Sequence, residues 1–154
     1  MIKRYVWIAM GVFQTAWLFP AQAQEASVPP AVATELTQLI DLYSKAREEQ
    51  DTLLLKAILT EDIDQLVSSG EWRLGLRVAV EGMQRSSSIN EGTRTLTVER
   101  IRLLDPQVAL IDARYIINPS DGGDARKMWS TFIAVYREGR WRIAGIRNML
   151  PTGN

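Results

Sequence analysis

The chain contains no cysteine and no histidine among its 154 residues. No disulfide can form, and zinc, haem and iron–sulfur sites normally require one of these two ligands. Ser-His-Asp and Cys-His catalysis are excluded by the same absence. An excess of one charge is missing too. The 18 basic and 18 acidic side chains cancel, so no basic footprint points to nucleic acid. Sharper motifs are also lacking. There is no GxGxxG fingerprint and no phosphate-binding P-loop, and Gly122-Gly123 sits in a turn between strand-like segments. Glu61, Asp62 and Asp64 lack the glycine and the spacing of a calcium loop. No cofactor and no metal are expected, and a general base could only be Asp, Glu, Tyr or Lys.

One long hydrophobic run is present, at the start. Lys3 and Arg4 precede a mostly apolar, uncharged stretch from Tyr5 to Phe19. Pro20 breaks it, and Ala21-Gln22-Ala23 supplies the small-x-small pattern of a signal-peptidase site. A transmembrane helix needs about 20 apolar residues, whereas this run is shorter and holds Gln14 and Thr15. Residues 1–23 therefore read as a cleaved signal peptide, residues 24–32 as a linker and residues 33–151 as the domain. Cleavage after Ala23 leaves 131 residues with 16 basic and 18 acidic side chains. A chain of about 130 residues can bury roughly two thirds of its unfolded surface, enough for a core without disulfides. Export without cysteine suits a bacterial periplasmic or secreted protein, with membrane contact only during export.

The mature chain reads as helices first and strands after, an α+β pattern. Gln24 to Ala33, with Pro29-Pro30, reads as extended. Thr34 is placed to cap a helix, and Leu36, Leu39, Ile40, Tyr43 and Ala46 or Arg47 follow at three- and four-residue steps. Leu53 to Leu59 is a second apolar run. Thr60-Glu61-Asp62 reads as a further helix start, Trp72 to Gly75 as a short extended segment, and Leu76 to Gln84 as a last helix. After Gly92 the texture turns β-branched. Thr93–Leu104, Val108–Asn118, Met128–Arg137 and Arg140–Leu150 are separated by Asp105-Pro106, a Pro119–Asp124 turn and Glu138-Gly139. These four segments predict an antiparallel meander of long strands, in a sheet that bends or bulges.

The strand faces single out candidates. Ala109, Ile111, Ala113, Tyr115 and Ile117 form an apolar face suited to helix cover, while Asp112 and Arg114 share the other face and are expected to pair. In the last strand both alternations are apolar towards the end, which predicts a second covered face and hence a homodimer through the sheet. Arg147 and Asn148 are polar within that strand. Tyr43, Trp72, Tyr115, Trp129, Phe132, Arg147 and Asn148 are the candidate lining of a ligand pocket. Asp112 and Tyr43 are the candidate catalytic groups, with Asp41 and Asp51 the other carboxylates near core elements.

These residues bring out a family resemblance. Leu39 to Asp51, Ala57-Ile58-Leu59-Thr60-Glu61-Asp62 and the Gly70–Gly75 turn carry part of it. Val108 to Tyr115 and Glu138 to Asn148 carry the rest. Over roughly residues 33–151 the chain resembles the nuclear transport factor 2-like superfamily, in particular its SnoaL-like and SgcJ/EcaC-type bacterial branch. The resemblance implies a cone: a curved antiparallel sheet wrapped around helices, with a cavity at the wide end and usually a dimer. Family members include isomerases, dehydratases, epoxide hydrolases and polyketide cyclases, while others only bind ligands or assemble larger proteins. Related sequences often have His where Arg147 stands, and this chain departs from that. The resemblance implies an exported protein that binds a small molecule in the cone. A lyase, isomerase or hydrolase using a pocket Asp or Tyr, or a purely structural dimer, is the alternative. If the leader is read correctly, the intact mass of protein recovered from a bacterial periplasm will correspond to a chain starting at Gln24. A mass that retains Met1 would refute cleavage.

Overall fold

The computed structural model describes residues 27–151. The expected signal peptide lies outside the described residues. Helix α1 (Pro30–Glu48) starts four residues before Thr34. The sequence reading took Pro29-Pro30 for extended chain, but Pro30 occupies the first helical turn. There its fixed φ suits the helix and its missing N–H costs nothing. Thr34 is not the cap; its hydroxyl donates back to the Pro30 carbonyl within the helix. Gln50 takes a left-handed φ of 55° and turns the chain into α2 (Thr52–Ile58). Asp51 caps α2, its carboxylate accepting from Leu54 N–H at 2.9 Å.

The segment after α2 corrects the sequence reading most. Thr60-Glu61-Asp62 does not start a helix. It belongs to β1 (Leu59–Leu66), which leaves α2 without a loop. Ile63 and Gln65 point inward and are buried, while Asp64 and Leu66 alternate with them. Pairing of the flanking residues, Leu59 and Asp64 to Leu66, overrides the local helical signal. On one side β1 pairs antiparallel with β2 (Trp72–Leu74), and on the other it runs parallel to β6 (Arg140–Met149). Helix α3 (Leu76–Ile89) follows, then β3 (Gly92–Asp105), β4 (Val108–Pro119) and β5 (Arg126–Arg137).

The sheet order is β2-β1-β6-β5-β4-β3. The expected four-stranded meander is thus the larger part of a six-stranded mixed sheet. The helices cover its inner face. Leu36, Leu39, Ile40, Tyr43 and Ala46 of α1 and Ala79, Val80 and Met83 of α3 meet Ala109, Ile111, Ala113, Phe132, Ile143 and Ile146 in one core. Tyr43 and Phe132 meet edge to face at its centre, with ring centroids 5.2 Å apart.

The last strand carries a bulge. Ala134 pairs with Ile143 and Ile133 with Gly145, so Ala144 has no partner on β5. Trp141 and Ile143 face the core before the bulge, and Ile146 faces it after. The alternation shifts by one residue, which is why both sequence alternations look apolar. A Cβ at Gly145 would lie 2.8 Å from the Ile133 Cδ1 and 3.0 Å from the Asp64 Oδ1, so the bulge also needs a residue without a side chain.

Truncating Phe132 to Ala is expected to cost about 3–5 kcal/mol of stability in chemical denaturation, the range for a buried aromatic. Leu53→Ala, at a side chain 76% exposed, should stay within about 0.5 kcal/mol of the parent. Equal effects would contradict the placement of the core.

Candidate functional site

A cavity of about 260 Å³ opens where α3 ends and the inner sheet face is left uncovered. Tyr115, Ile117, Met128 and Asn148 of the sheet form one wall. Arg85, Ser86, Ile89 and Asn90 of α3 and its C-cap form another. The turn between β1 and β2 closes a third with Val67, Ser68, Ser69 and Glu71. Arg47, Gln65, Arg73 and Arg126 complete it. A second hollow of about 410 Å³, rimmed by Ser120 and Asp121, shares Ile89, Asn90, Ile117 and Arg126 with the first and forms its outer approach.

The polar side chains are held individually. Arg47 sits on the apolar stripe of α1, one residue past Ala46, and is only 5% exposed. Its Nη1 donates to the Tyr43 hydroxyl at 3.0 Å, and its Nη2 donates to the Met83 carbonyl at 3.3 Å and the Ser87 hydroxyl at 3.2 Å. Its buried Nε has no partner. Burial opposes the charge on Arg47, but the Tyr43 and Tyr115 hydroxyls outweigh that effect and move its pKa up. Burial likewise pushes the Tyr43 hydroxyl above its ordinary value, against the pull of Arg47.

Arg73 points inward from β2. Its Nε donates to the Glu71 carboxylate at 3.1 Å and its Nη1 to the Gln65 side-chain oxygen at 3.4 Å. Glycine makes room for it, because a Cβ at Gly82 would lie 2.4 Å from the Arg73 Nε. Arg126, at the start of β5, donates to the Ser68 hydroxyl at 2.6 Å and ties the wall to the turn. The Asn148 side-chain oxygen accepts from the Ser130 hydroxyl at 2.7 Å, which fixes its amide. Among the described residues no group of three or more acidic side chains could hold a metal ion.

The structure brings together only part of the residues singled out from the sequence. Tyr115 and Asn148 line the cavity. Tyr43 and Phe132 lie in the core beneath it, where Tyr43 contributes only by holding Arg47. Trp72, Trp129 and Arg147 lie on the other side of the sheet. The register Trp72–Leu66–Arg147–Thr131–Asp112 forms one row across that outer face. There Arg147 makes a bidentate pair with Asp64 at 2.9 and 3.0 Å and lies over the Trp72 ring at 4.7 Å. Asp112 accepts from the Thr131 hydroxyl at 2.6 Å and faces away from the cavity. Arg114, expected to pair with Asp112, instead stacks on Trp129 at 3.8 Å, with Glu99 3.7 Å from its Nε. Asp41 is exposed and Asp51 is spent as a helix cap. The sequence reading missed Arg73, Arg85 and Arg126. The one available signal was Arg47, a cation at a core position of an amphipathic stripe.

No family model matches the chain, and no curated protein matches it in sequence. Solved structures do match. A domain of unknown function with a cystatin-like fold from Nostoc punctiforme PCC 73102 superposes with a TM-score of 0.72 at 14% identity. That match covers 82% of this chain and 81% of the other. A nuclear transport factor 2-like protein of unknown function from Pseudomonas putida KT2440 gives 0.70 at 16% identity, over 82% and 92% of the two chains. A nuclear transport factor 2-like superfamily protein from Salmonella enterica serovar Typhimurium LT2 gives 0.66 at 17% identity, over 80% and 94%. The α+β architecture expected from the sequence is therefore the nuclear transport factor 2-like fold. At these identities the likeness speaks to the fold alone.

Tyr43 titrates above 10.0, its value in an unfolded chain. The unfolded state therefore loses this proton first as pH rises. Its contribution to stability is complete below about pH 10 and falls as pH climbs beyond that value. Denaturation measured from about pH 8 to about pH 11 should show this decline, and Tyr43→Phe should flatten it. At neutral pH the same substitution should cost about 1–3 kcal/mol, because Arg47 Nη1 loses its buried acceptor.

Proposed function

We propose that this chain is an exported protein that holds a small molecule in the cavity between α3, the β1–β2 turn and the inner sheet face. The observation that carries the reading is the cavity's lining. Fixed polar side chains converge on a space bordered by Tyr115, Ile117 and Met128, the usual make-up of a ligand site. Its one carboxylate, Glu71, is half exposed and paired with Arg73. That arrangement suits binding better than general-base chemistry, which needs a carboxylate free to reach the substrate proton. The leader supports export, by the charge and hydropathy pattern of residues 1–23. The SnoaL-like branch of the fold family is the finer placement we favour, on the packing signatures of α1 and β6.

We further propose that the partner on the outer sheet face is a second copy of the chain. Trp72 is 50% exposed there and Met149 48%. Glu99 and Arg114 beside Trp129 supply both signs of charge, as a self-complementary patch requires.

Native mass spectrometry of protein purified without refolding tests both proposals. A dimer mass with a retained small molecule is expected. Ser86→Trp, which fills the cavity from α3, should abolish the retained mass without affecting the dimer. Met149→Arg should give monomer while keeping the ligand. A parent protein that is monomeric at micromolar concentration would overturn the dimer. Retention by Ser86→Trp equal to the parent would overturn the choice of cavity.

A further inference from the structure

We infer that the molecule held in this cavity carries an oxyanion head group, a carboxylate or a phosphate ester, on a small organic body. The inference rests on the binding reading above and deepens it. Four arginines line the cavity, Arg47, Arg73, Arg85 and Arg126, against a single carboxylate, Glu71. The chain as a whole is neutral, with 18 basic and 18 acidic side chains. The cationic lining is therefore local to the cavity and does not reflect overall composition.

The pairing makes the imbalance sharper. Glu71 is taken by Arg73. The hydrogen-bond acceptors of Arg47 are a phenol, a carbonyl and a hydroxyl, all uncharged, and its Nε is buried without a partner. Arg126 has an uncharged acceptor in the Ser68 hydroxyl. Arg85 has no ionic partner among the described residues. A buried guanidinium with no counter-charge is costly, and an anion entering from the α3 side would supply one. Guanidinium forks match the geometry of carboxylate and phosphate oxygens. Ser68, Ser69, Ser86 and the Asn148 amide add uncharged donors around the same space. The acids of the outer approach, Glu91 and Asp121, lie beyond Arg126 and not among the inner arginines. Ile117 and Met128 offer contact to an apolar body.

Protein expressed from the full-length sequence, purified in low salt, would be titrated calorimetrically with matched pairs. These are benzoate against benzamide, hexanoate against hexanamide, and phenyl phosphate against phenol. The charged member of at least one pair should bind at least tenfold tighter than its neutral counterpart. The carboxylate pairs and the phosphate pair separate the two head groups. Arg126→Gln, at a half-buried side chain, and Arg85→Gln, at an exposed one, should each cut that affinity about ten- to a hundredfold. The thermal midpoint of Arg85→Gln should stay at the parent value, and Arg126→Lys should recover part of the affinity lost in Arg126→Gln. Equal binding of charged and neutral members, or unchanged anion affinity in both Gln variants, would overturn the inference while leaving small-molecule binding intact. No binding by any probe would also overturn the inference. If the native mass spectrum were empty as well, the binding reading would fall with it.

Discussion

The unpaired Ala144 in β6 sets what each half of the last strand can do. Without it, a residue that continues the phase of Trp141 and Ile143 would place Gly145 and Arg147 in the core and turn Ile146 and Asn148 outward. With it, Ile146 completes the core and Asn148 enters the cavity wall. Arg147 is delivered to the outer face, where it meets Asp64 and Trp72. One extra residue thus keeps a guanidinium out of the apolar interior, where a lone charge would cost several kcal/mol. It also bends the strand that β1 joins in parallel.

A second guanidinium is buried by design of the helix. Arg47 stands where α1 runs past the end of the packed core, so its stem continues the apolar stripe while its head reaches the cavity floor. Tyr43, Met83 and Ser87 orient that head from two helices. The contacts to Met83 and Ser87 tie α1 to α3. Arg47 therefore contributes both to the docking of α1 on α3 and to the positive lining of the cavity. The upward shift of the Tyr43 hydroxyl follows from the same burial.

The two sheet faces divide the chemistry. Inward, the row Arg73–Gln65–Ile146–Phe132–Ile111 passes from polar to apolar, with Arg73 and Gln65 lining the cavity and Ile146, Phe132 and Ile111 in the core. Outward, the adjacent row Trp72–Leu66–Arg147–Thr131–Asp112 mixes rings, charges and hydroxyls in a way that suits contact with another protein surface better than ligand enclosure. Asp112 and Trp129 belong to this second surface, which separates them from the cavity.

Residue order alone settled the periodic parts. The apolar stripe of α1, the inward face Ala109–Ile117 and the turns at Asp105-Pro106 and Glu138-Gly139 are short-range patterns that chain geometry reads directly. Tertiary structure decided the rest. Thr60-Glu61-Asp62 became strand because it is held between Leu59 and Asp64, both paired with β6, a partner that no local window contains. Strand length predicted a bend or a bulge, but its position in β6 could not be read because two apolar alternations have the same sequence appearance as two covered faces. The cavity arginines come from α1, β2, α3 and β5, as far apart in sequence as Arg47 and Arg126. Their convergence depends on the packing of α3 against the sheet, a contact that residue spacing does not encode.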